Sequence, residues 1–319
     1  MASQGPDKSV NGDSATPLWC HSFPESTDMY RFMLSLNLSR GPHFKSYKDI
    51  YQWSIDHVAD FWGEVWKHTG IKTSEPYAQV WQSFPGAKIC TNTIQVLDES
   101  LPMFPRPSWF SGAKLNFAEN LLYPSATVDP ESPAIIAATE TTRETVTWNE
   151  LRELVKQCQS GMMANGVKVG DRVAGYCANH TSAVVAMLAA TSLGALWTAV
   201  SPDTGVTAVL DRMKQIEPVL LFADNAAFYN GRAHPVLDKL KEIVAELPTL
   251  KAVVVIPSVQ DVKVDLSEIK VEQGKVFNYY QFLSLGFPLP NITFAQLPPD
   301  HPVYILYSSG TTGVSFDTI

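Results

Sequence analysis

Residues 172–224 read RVAGYCANHTSAVVAMLAATSLGALWTAVSPDTGVTAVLDRMKQIEPVLLFAD, and the rhythm of this stretch decides the fold class. RVAGYCAN, LWTAV and VLLFAD are short runs, apolar over most of their length. Runs of that kind are strands buried on both faces, the habit of parallel sheets. Between them lie segments of helical length. Ser182 to Gly194 has no polar face, so it predicts a helix buried on most sides. Val206, Val209, Leu210, Met213 and Ile216 recur at helical spacing, and Pro218 ends that helix.

The same alternation continues outward. Upstream, VTWNEL opens a helix with Thr147 and Glu150 in capping-box spacing. Leu151, Leu154, Val155, Cys158 and Met162 form its buried face, and Gly166 stops it. Downstream come a helix over about 235–247, the strand KAVVVIP and a last strand, PVYILY, ending at Tyr307. The fold class is α/β, with a mostly parallel, helix-covered sheet. Ligands of such sheets bind beyond the carboxyl ends of the strands.

The N-terminal third reads differently. Residues 1–17 are small and polar, which predicts disorder, and 1–45 are taken as a disordered or loosely packed tail. From Ser46 a helical region begins. Ile55, Val58, Phe61, Trp62, Val65 and Trp66 recur at helical spacing, and Gly70 is placed to end the helix. Three tryptophans here suggest either a ligand cage or an apolar stripe docked on a larger domain, and the stripe is the plainer reading. Prolines and aromatics in LPMFPRPSWF (101–110) read as an extended linker.

Composition narrows the function. The 319 residues are 45% apolar and 18% charged, ordinary for a globular protein. A net charge of −8 leaves no basic footprint for nucleic acid or anionic lipid. Cys20, Cys90, Cys158 and Cys177 lie far apart with no C-x-x-C pair, so they are read as reduced, buried thiols. No metal-ligating cluster is evident. The N-terminus lacks a basic and an apolar signal region, and the uncharged run Ala183–Val200 reads as a helix entering a strand. A cytoplasmic protein without a membrane span is expected.

Tyr307 is followed by SSGTTG (308–313). Glycine turns aim backbone N–H groups at one point, and Ser and Thr add hydroxyl donors, which suits phosphate. The spacing fails the Walker pattern, because Gly313 follows Gly310 only three residues later and no Lys-Ser/Thr stands behind it. Taken alone, the run reads equally as a flexible tail. No G-x-G-x-x-G follows any strand, which sets aside a dinucleotide fold. His180, His234 and His301 have no partner at useful spacing and read as surface or core histidines.

Three motifs in order change the balance. YSSGTTG resembles the phosphate-loop signature of the adenylate-forming superfamily, which includes acyl-CoA synthetases. VTWNELRELV resembles its first core motif, and TSLGALWTAVSPD (191–203) its second. More narrowly, DIYQWSIDHVADFWGEVWKHTGI (49–71), WFSGAKLNFAENLL (109–122) and SPDTGVTAVLDRMKQIEPVLLF (201–222) are similar to the acetoacetyl-CoA synthetase family. The resemblance covers about 46–314. It implies a helical acetyl-CoA-synthetase-type N-terminal region over 46–105 and the N-terminal part of an AMP-dependent synthetase/ligase domain, the large domain of the adenylate-forming fold, over 106–314. It further implies a ligase using ATP, Mg2+ and CoA, with acetoacetate as the acid. Carried over by position, Ser308, Ser309, Gly310, Thr311, Thr312 and Gly313 would contact the ATP phosphates.

The pattern departs after Val314, where Ser315 and Phe316 stand in place of the family's Pro-Lys. Residues 315–319 are therefore read as a non-homologous tail on an incomplete large domain, with no catalytic residue and no metal ligand in this chain. An acetyl- or propionyl-CoA synthetase fragment and a non-catalytic short form that binds a partner remain open. PVYILY is expected to present an open, aggregation-prone edge. The chain alone is expected to hold no ATP measurably. Three charge-assisted hydrogen bonds contribute about 4.5–9 kcal/mol in total, against about 4–15 kcal/mol for association. Calorimetric titration with Mg-ATP checks this, and micromolar binding would refute it.

Overall fold

The structure, a computed structural model, describes residues 19–77, 79–81, 92–94, 96–98, 101–140, 142–286, 288–307 and 317–318. The tail 1–17 and Cys90 lie outside the described residues. The chain divides into two compact units, Met1–Glu64 and Val65–Ile319.

In the first unit, the stretch read as a loose tail holds a helix, α1 (Asp28–Arg40). Thr27 caps it by accepting the Tyr30 N–H, and Phe32 and Leu36, four apart, are buried. Arg40 at its end pairs with Asp60 at 3.0 Å and Glu64 at 3.1 Å. Those contacts order residues that composition alone reads as polar. The single helix read from Ser46 to Gly70 is in fact two, α2 (Tyr47–Asp56) and α3 (Val58–Thr69). His57 leaves helical geometry (φ −136°, ψ 64°) yet still bonds Trp53 O and accepts the Phe61 N–H. The break turns Phe61 edge-on to both Phe32 and Trp53, each at 6.1 Å. Consequently no one stripe runs through both helices, and Ile55 and Trp62 are exposed. The tryptophans form no cage: Trp53 packs on Phe44, whereas Trp66, in the second unit, lies 4.3 Å from the Phe110 ring. Gly70 ends α3 as read, with φ 62° and its N–H on Trp66 O.

The second unit opens with a short antiparallel pair, β1 (Gln79–Trp81) and β2 (Asn92–Ile94), then α4 (Phe117–Leu122). A hairpin, β3 (Pro133–Ala138) with β4 (Arg143–Thr147), leads into α5 (Trp148–Ala164). The α5 capping box is present as read: Thr147 Oγ1 accepts the Glu150 N–H, and Glu150 accepts the Thr147 N–H at 2.8 Å. Then come β5 (Arg172–Tyr176), α6 (Thr181–Ser192), β6 (Leu196–Val200), α7 (Val206–Ile216) and β7 (Leu220–Asp224). A second hairpin follows, β8 (Ala226–Tyr229) and β9 (Arg232–Pro235), and then α8 (Leu237–Ala245) and β10 (Ala252–Ile256). The chain continues through β11 (Lys275–Asn278), α9 (Tyr279–Leu283), β12 (Ile305–Leu306) and β13 (Asp317–Thr318).

The central sheet has the order β11-β10-β7-β5-β6, and every pair in it is parallel. Successive strand residues feed two cores. Val173, Leu220, Phe222 and Val254 pack with α5, α6 and α9. Ala174, Leu221, Ala223 and Val253 pack with α7 and α8 on the other face. The apolar runs of the sequence therefore form an α/β layer structure, as read. Among the described residues no helix is long and apolar enough to cross a membrane, and the run Ala183–Val200 is α6 followed by β6. Of PVYILY, Tyr304 pairs with Trp197 in parallel and β12 pairs with β13, so part of the edge read as open is occupied. Residues 101–110, read as an extended linker, are irregular chain with several bends inside the second unit, with Leu101, Met103 and Phe104 exposed.

Helix α5 approaches α9 closely because residue 161 has no side chain. A Cβ there would stand 2.6 Å from Phe282 O and 2.8 Å from the Phe282 ring. Helix propensity favours Gly161→Ala by about 1 kcal/mol. Overpacking against a fixed backbone opposes it by about 1–3 kcal/mol. Gly161→Ala is expected to lower the unfolding midpoint in urea, and a raised midpoint would show that α9 yields.

Candidate functional site

The chain runs from β5 outward to β6, then returns across β5 to β7. The strand order thus reverses between β5 and β7, and the crevice at their carboxyl ends is the place where such sheets bind ligands. Four loops meet on this rim.

The loop after β5 is held by a residue of β7. Asp224, the first polar residue after four apolar ones, is fully buried. Its Oδ2 accepts the Ala178 N–H at 2.8 Å, and its Oδ1 lies 2.8 Å from His180 Nε2. His180 also caps α6, its Nδ1 accepting the Ala183 N–H at 3.3 Å. The two contacts fix the tautomer: Nδ1 accepts, so Nε2 carries the proton and donates to Asp224. Both ring nitrogens are engaged, so the pair ties the loop and has no free nitrogen for proton transfer. His180 therefore does have a partner, 44 residues away in sequence. His301 has one too, with Nε2 2.9 Å from Gly194 O, whereas β9 leaves His234 exposed. One residue beyond His180, Thr181 Oγ1 donates to Glu144 at 2.5 Å.

The loop after β6 carries the SPD segment. The Tyr176 hydroxyl, at the end of β5, lies 2.8 Å from Pro202 O and 2.9 Å from Thr204 O and donates between them. Burial first, and then the charge of Asp203, push this phenol up to about 12, so it remains a donor at neutral pH. After β7, Asn225 binds the loop beyond β10: its Oδ1 accepts the Val259 N–H, and its Nδ2 donates to Val259 O and Val262 O. The fourth contribution is the approach to residue 308. Trp197 N–H donates to Val303 O at 3.0 Å, and Thr198 Oγ1 donates to Ile305 O at 2.9 Å. The Arg212 guanidinium lies 5.5 Å from the centre of the Tyr307 ring.

Tyr307 is the last residue before SSGTTG. Ser308, Ser309, Gly310, Thr311, Thr312 and Gly313, the residues read as phosphate ligands, lie outside the described residues. Among the described residues there is no group of three or more His, Cys, Asp or Glu that could hold a metal ion. Cys158 and Cys177 are buried, and burial pushes both thiols far up, so they are inert core residues. Cys20, read as buried, is exposed on the unpacked chain ahead of α1.

Asp224, Tyr176 and Asn225 escape sequence reading, because each acts across strands that only the sheet brings together. The one available signal is a polar residue closing an apolar strand. His180→Ala removes a cap and Asp224→Asn removes an acceptor, and each is expected to cost about 1–2 kcal/mol. In a double-mutant cycle read by urea unfolding the two losses should be less than additive, whereas strict additivity would deny the pair.

Residues 122–315 match the AMP-binding enzyme family, and residues 47–121 match the acetyl-coenzyme A synthetase N-terminus. Malonamoyl-CoA synthetase vrtB of Penicillium aethiopicum is 49% identical over 299 residues, 93% of this chain and 39% of that protein. Acetoacetyl-CoA synthetase of Gallus gallus is 41% identical over 299 residues, 93% of this chain and 42% of that protein. The solved acetoacetyl-CoA synthetase from Streptomyces lividans matches with a TM-score of 0.76 at 34% identity, covering 91% of this chain and 40% of that one. The chain thus spans about two fifths of the length of these relatives. The parallel sheet of the adenylate-forming fold and the matched regions have one explanation: the chain belongs to the AMP-binding enzyme family.

Proposed function

We propose that this chain forms the N-terminal part of a ligase that activates acetoacetate with ATP and passes the acyl group to CoA. The observation that carries the reading is placement. SPD leaves β6 and Tyr307 enters SSGTTG at the same carboxyl rim, where a parallel sheet binds nucleotides. A carboxylate is a poor electrophile. Attack of its oxygen on the α-phosphorus of ATP releases pyrophosphate and leaves an acyl-adenylate, whose AMP then departs as the CoA thiol attacks. The work of Ser308, Ser309, Gly310, Thr311, Thr312 and Gly313 is to hold the phosphates and offset developing charge with preorganised donors. Mg2+, when bound, neutralises part of the polyphosphate charge. Residues 106–314 serve as the first part of the ligase domain, 46–105 as the helical region before it, and 315–319 as a tail outside it. Two buried, free thiols favour a reducing compartment, the cytoplasm.

A second acid is favoured by the relative at 49% identity, whose name says malonamoyl. Malonamate and acetoacetate both carry a carbonyl on the carbon next to the reacting CH2–COO− unit. They differ only by NH2 against CH3 beyond it. The substrate class is therefore a short acid with a carbonyl at C3.

Pyrophosphate release by the full-length ligase, measured across acetate, propionate, acetoacetate and malonamate, tests this reading. Activity with the two 3-carbonyl acids should exceed that with the other two. A site that hydrogen-bonds the carbonyl rejects an acid without it by as much as about 10⁴-fold. Release of ADP and phosphate would refute the chemistry, and a preference for acetate would refute the substrate class alone.

A further inference from the structure

The run from Ile292 to Tyr307 contains only the two residues of β12 as strand, yet Ile292 and Ile305 are buried. Side chains do for it what a neighbouring strand does elsewhere. Gln159 is fully buried in α5. Its carboxamide oxygen accepts the Thr293 N–H at 2.9 Å, and its nitrogen donates to the Thr293 carbonyl at 2.6 Å. The amide therefore stands in for a peptide. Two residues on, Ala295 donates to Ser192 O at 2.8 Å, and its carbonyl accepts from the buried Asn116 carboxamide at 2.9 Å. Two further on, Leu297 exchanges both backbone bonds with Leu115, each at 2.9 Å. The chain then swings past Gly194 and lies along β6, ending at Tyr307.

The contacts fall at 293, 295 and 297, the period of an extended chain. A slip of one residue would present the wrong side of the run to the two amides. A slip in either direction would also move the residue that reaches the rim. The amide of Gln159 and that of Asn116 thus set a ruler, and the far end of the ruler is the start of the loop.

We infer that Gln159 and Asn116 are positioning residues: they fix the register of 292–307 and thereby place Tyr307, the residue that leads into the phosphate loop. The inference rests on the proposed nucleotide role of that loop. Neither residue touches a substrate, and their effect is transmitted by the run itself. An ordinary pair of core amides would support all of the second unit alike. Positioning residues act on the run they hold, here 292–307 and the end of α6 that the same two amides bond, and on one substrate.

The test uses the full-length ligase with Gln159→Met, which keeps length and loses both bonds to Thr293 together with the one to Ser192 Oγ at the end of α6. Asn116→Ser is the second variant, since it keeps a capping oxygen for α4 and loses the reach to Ala295 and to the Thr191 and Ser192 carbonyls of α6. Amide hydrogen exchange at 293–306 should accelerate roughly 5- to 150-fold, the range a lost buried hydrogen bond produces, while β5, β7 and β10 keep their rates. KM for ATP should rise with KM for the acid unchanged. Equal acceleration in the central strands, or none at 293–306, overturns the inference. If the wild type releases pyrophosphate but the variants raise both KM values together, positioning fails and the proposed function stands. If the wild type releases none with any acid, the proposed function fails, and the exchange pattern still decides the register.

Discussion

Along β7 the side chains divide between two cores, Leu220 and Phe222 toward α5, α6 and α9, and Leu221 and Ala223 toward α7 and α8. The neighbouring strands β5 and β10 divide in the same way. A strand buried on both faces has no room for a polar side chain, since an unsatisfied buried polar group costs about 1–3 kcal/mol. The double burial therefore drives polar chemistry to the strand ends. Asp224 appears where β7 stops, Tyr176 places its hydroxyl beyond β5, and Asn225 binds the loop past β10. Within the sheet a hydrogen-bonding side chain is held only where a partner is at hand, as Thr198 in β6 finds Ile305 O.

On the carboxyl rim several buried polar groups have structural tasks. His180 and Asp224 hold the loop after β5, and Tyr176 holds the loop after β6. The buried carboxamides Asn116 and Gln159 extend the same economy to a stretch that has almost no secondary structure. An amide that mimics a peptide satisfies both the backbone and itself.

The two hairpins show how much local chemistry can say when it is heeded. β8 and β9 turn through Asn230 and Gly231, both with positive φ, the turn that Asn-Gly dictates between extended residues. The strands beside it, AAFY and RAHP, are four residues each, too short for an alternating pattern to stand out. Both oxygens of Glu140 accept N–H groups of that turn, at 2.9 Å and 2.8 Å, from 90 and 91 residues away. No periodicity could suggest that partner.

By itself the sequence determined the layer architecture, since apolar runs at strand length can be satisfied only between two layers of helices. It also determined the α5 capping box, whose partners are three residues apart, and the stops at Gly70 and Gly166. These are local matters of backbone preference and burial. The tertiary structure decided the rest. It broke the helix at His57 so that Phe61 could reach two aromatic rings, and it ordered α1 around Phe32 and Leu36. It also gave His180 its carboxylate and Thr293 its amide. Each of those contacts joins residues far apart in the chain, and their distance in space is set by the order of the strands. That order depends on how whole elements pack, which no short window of residues contains.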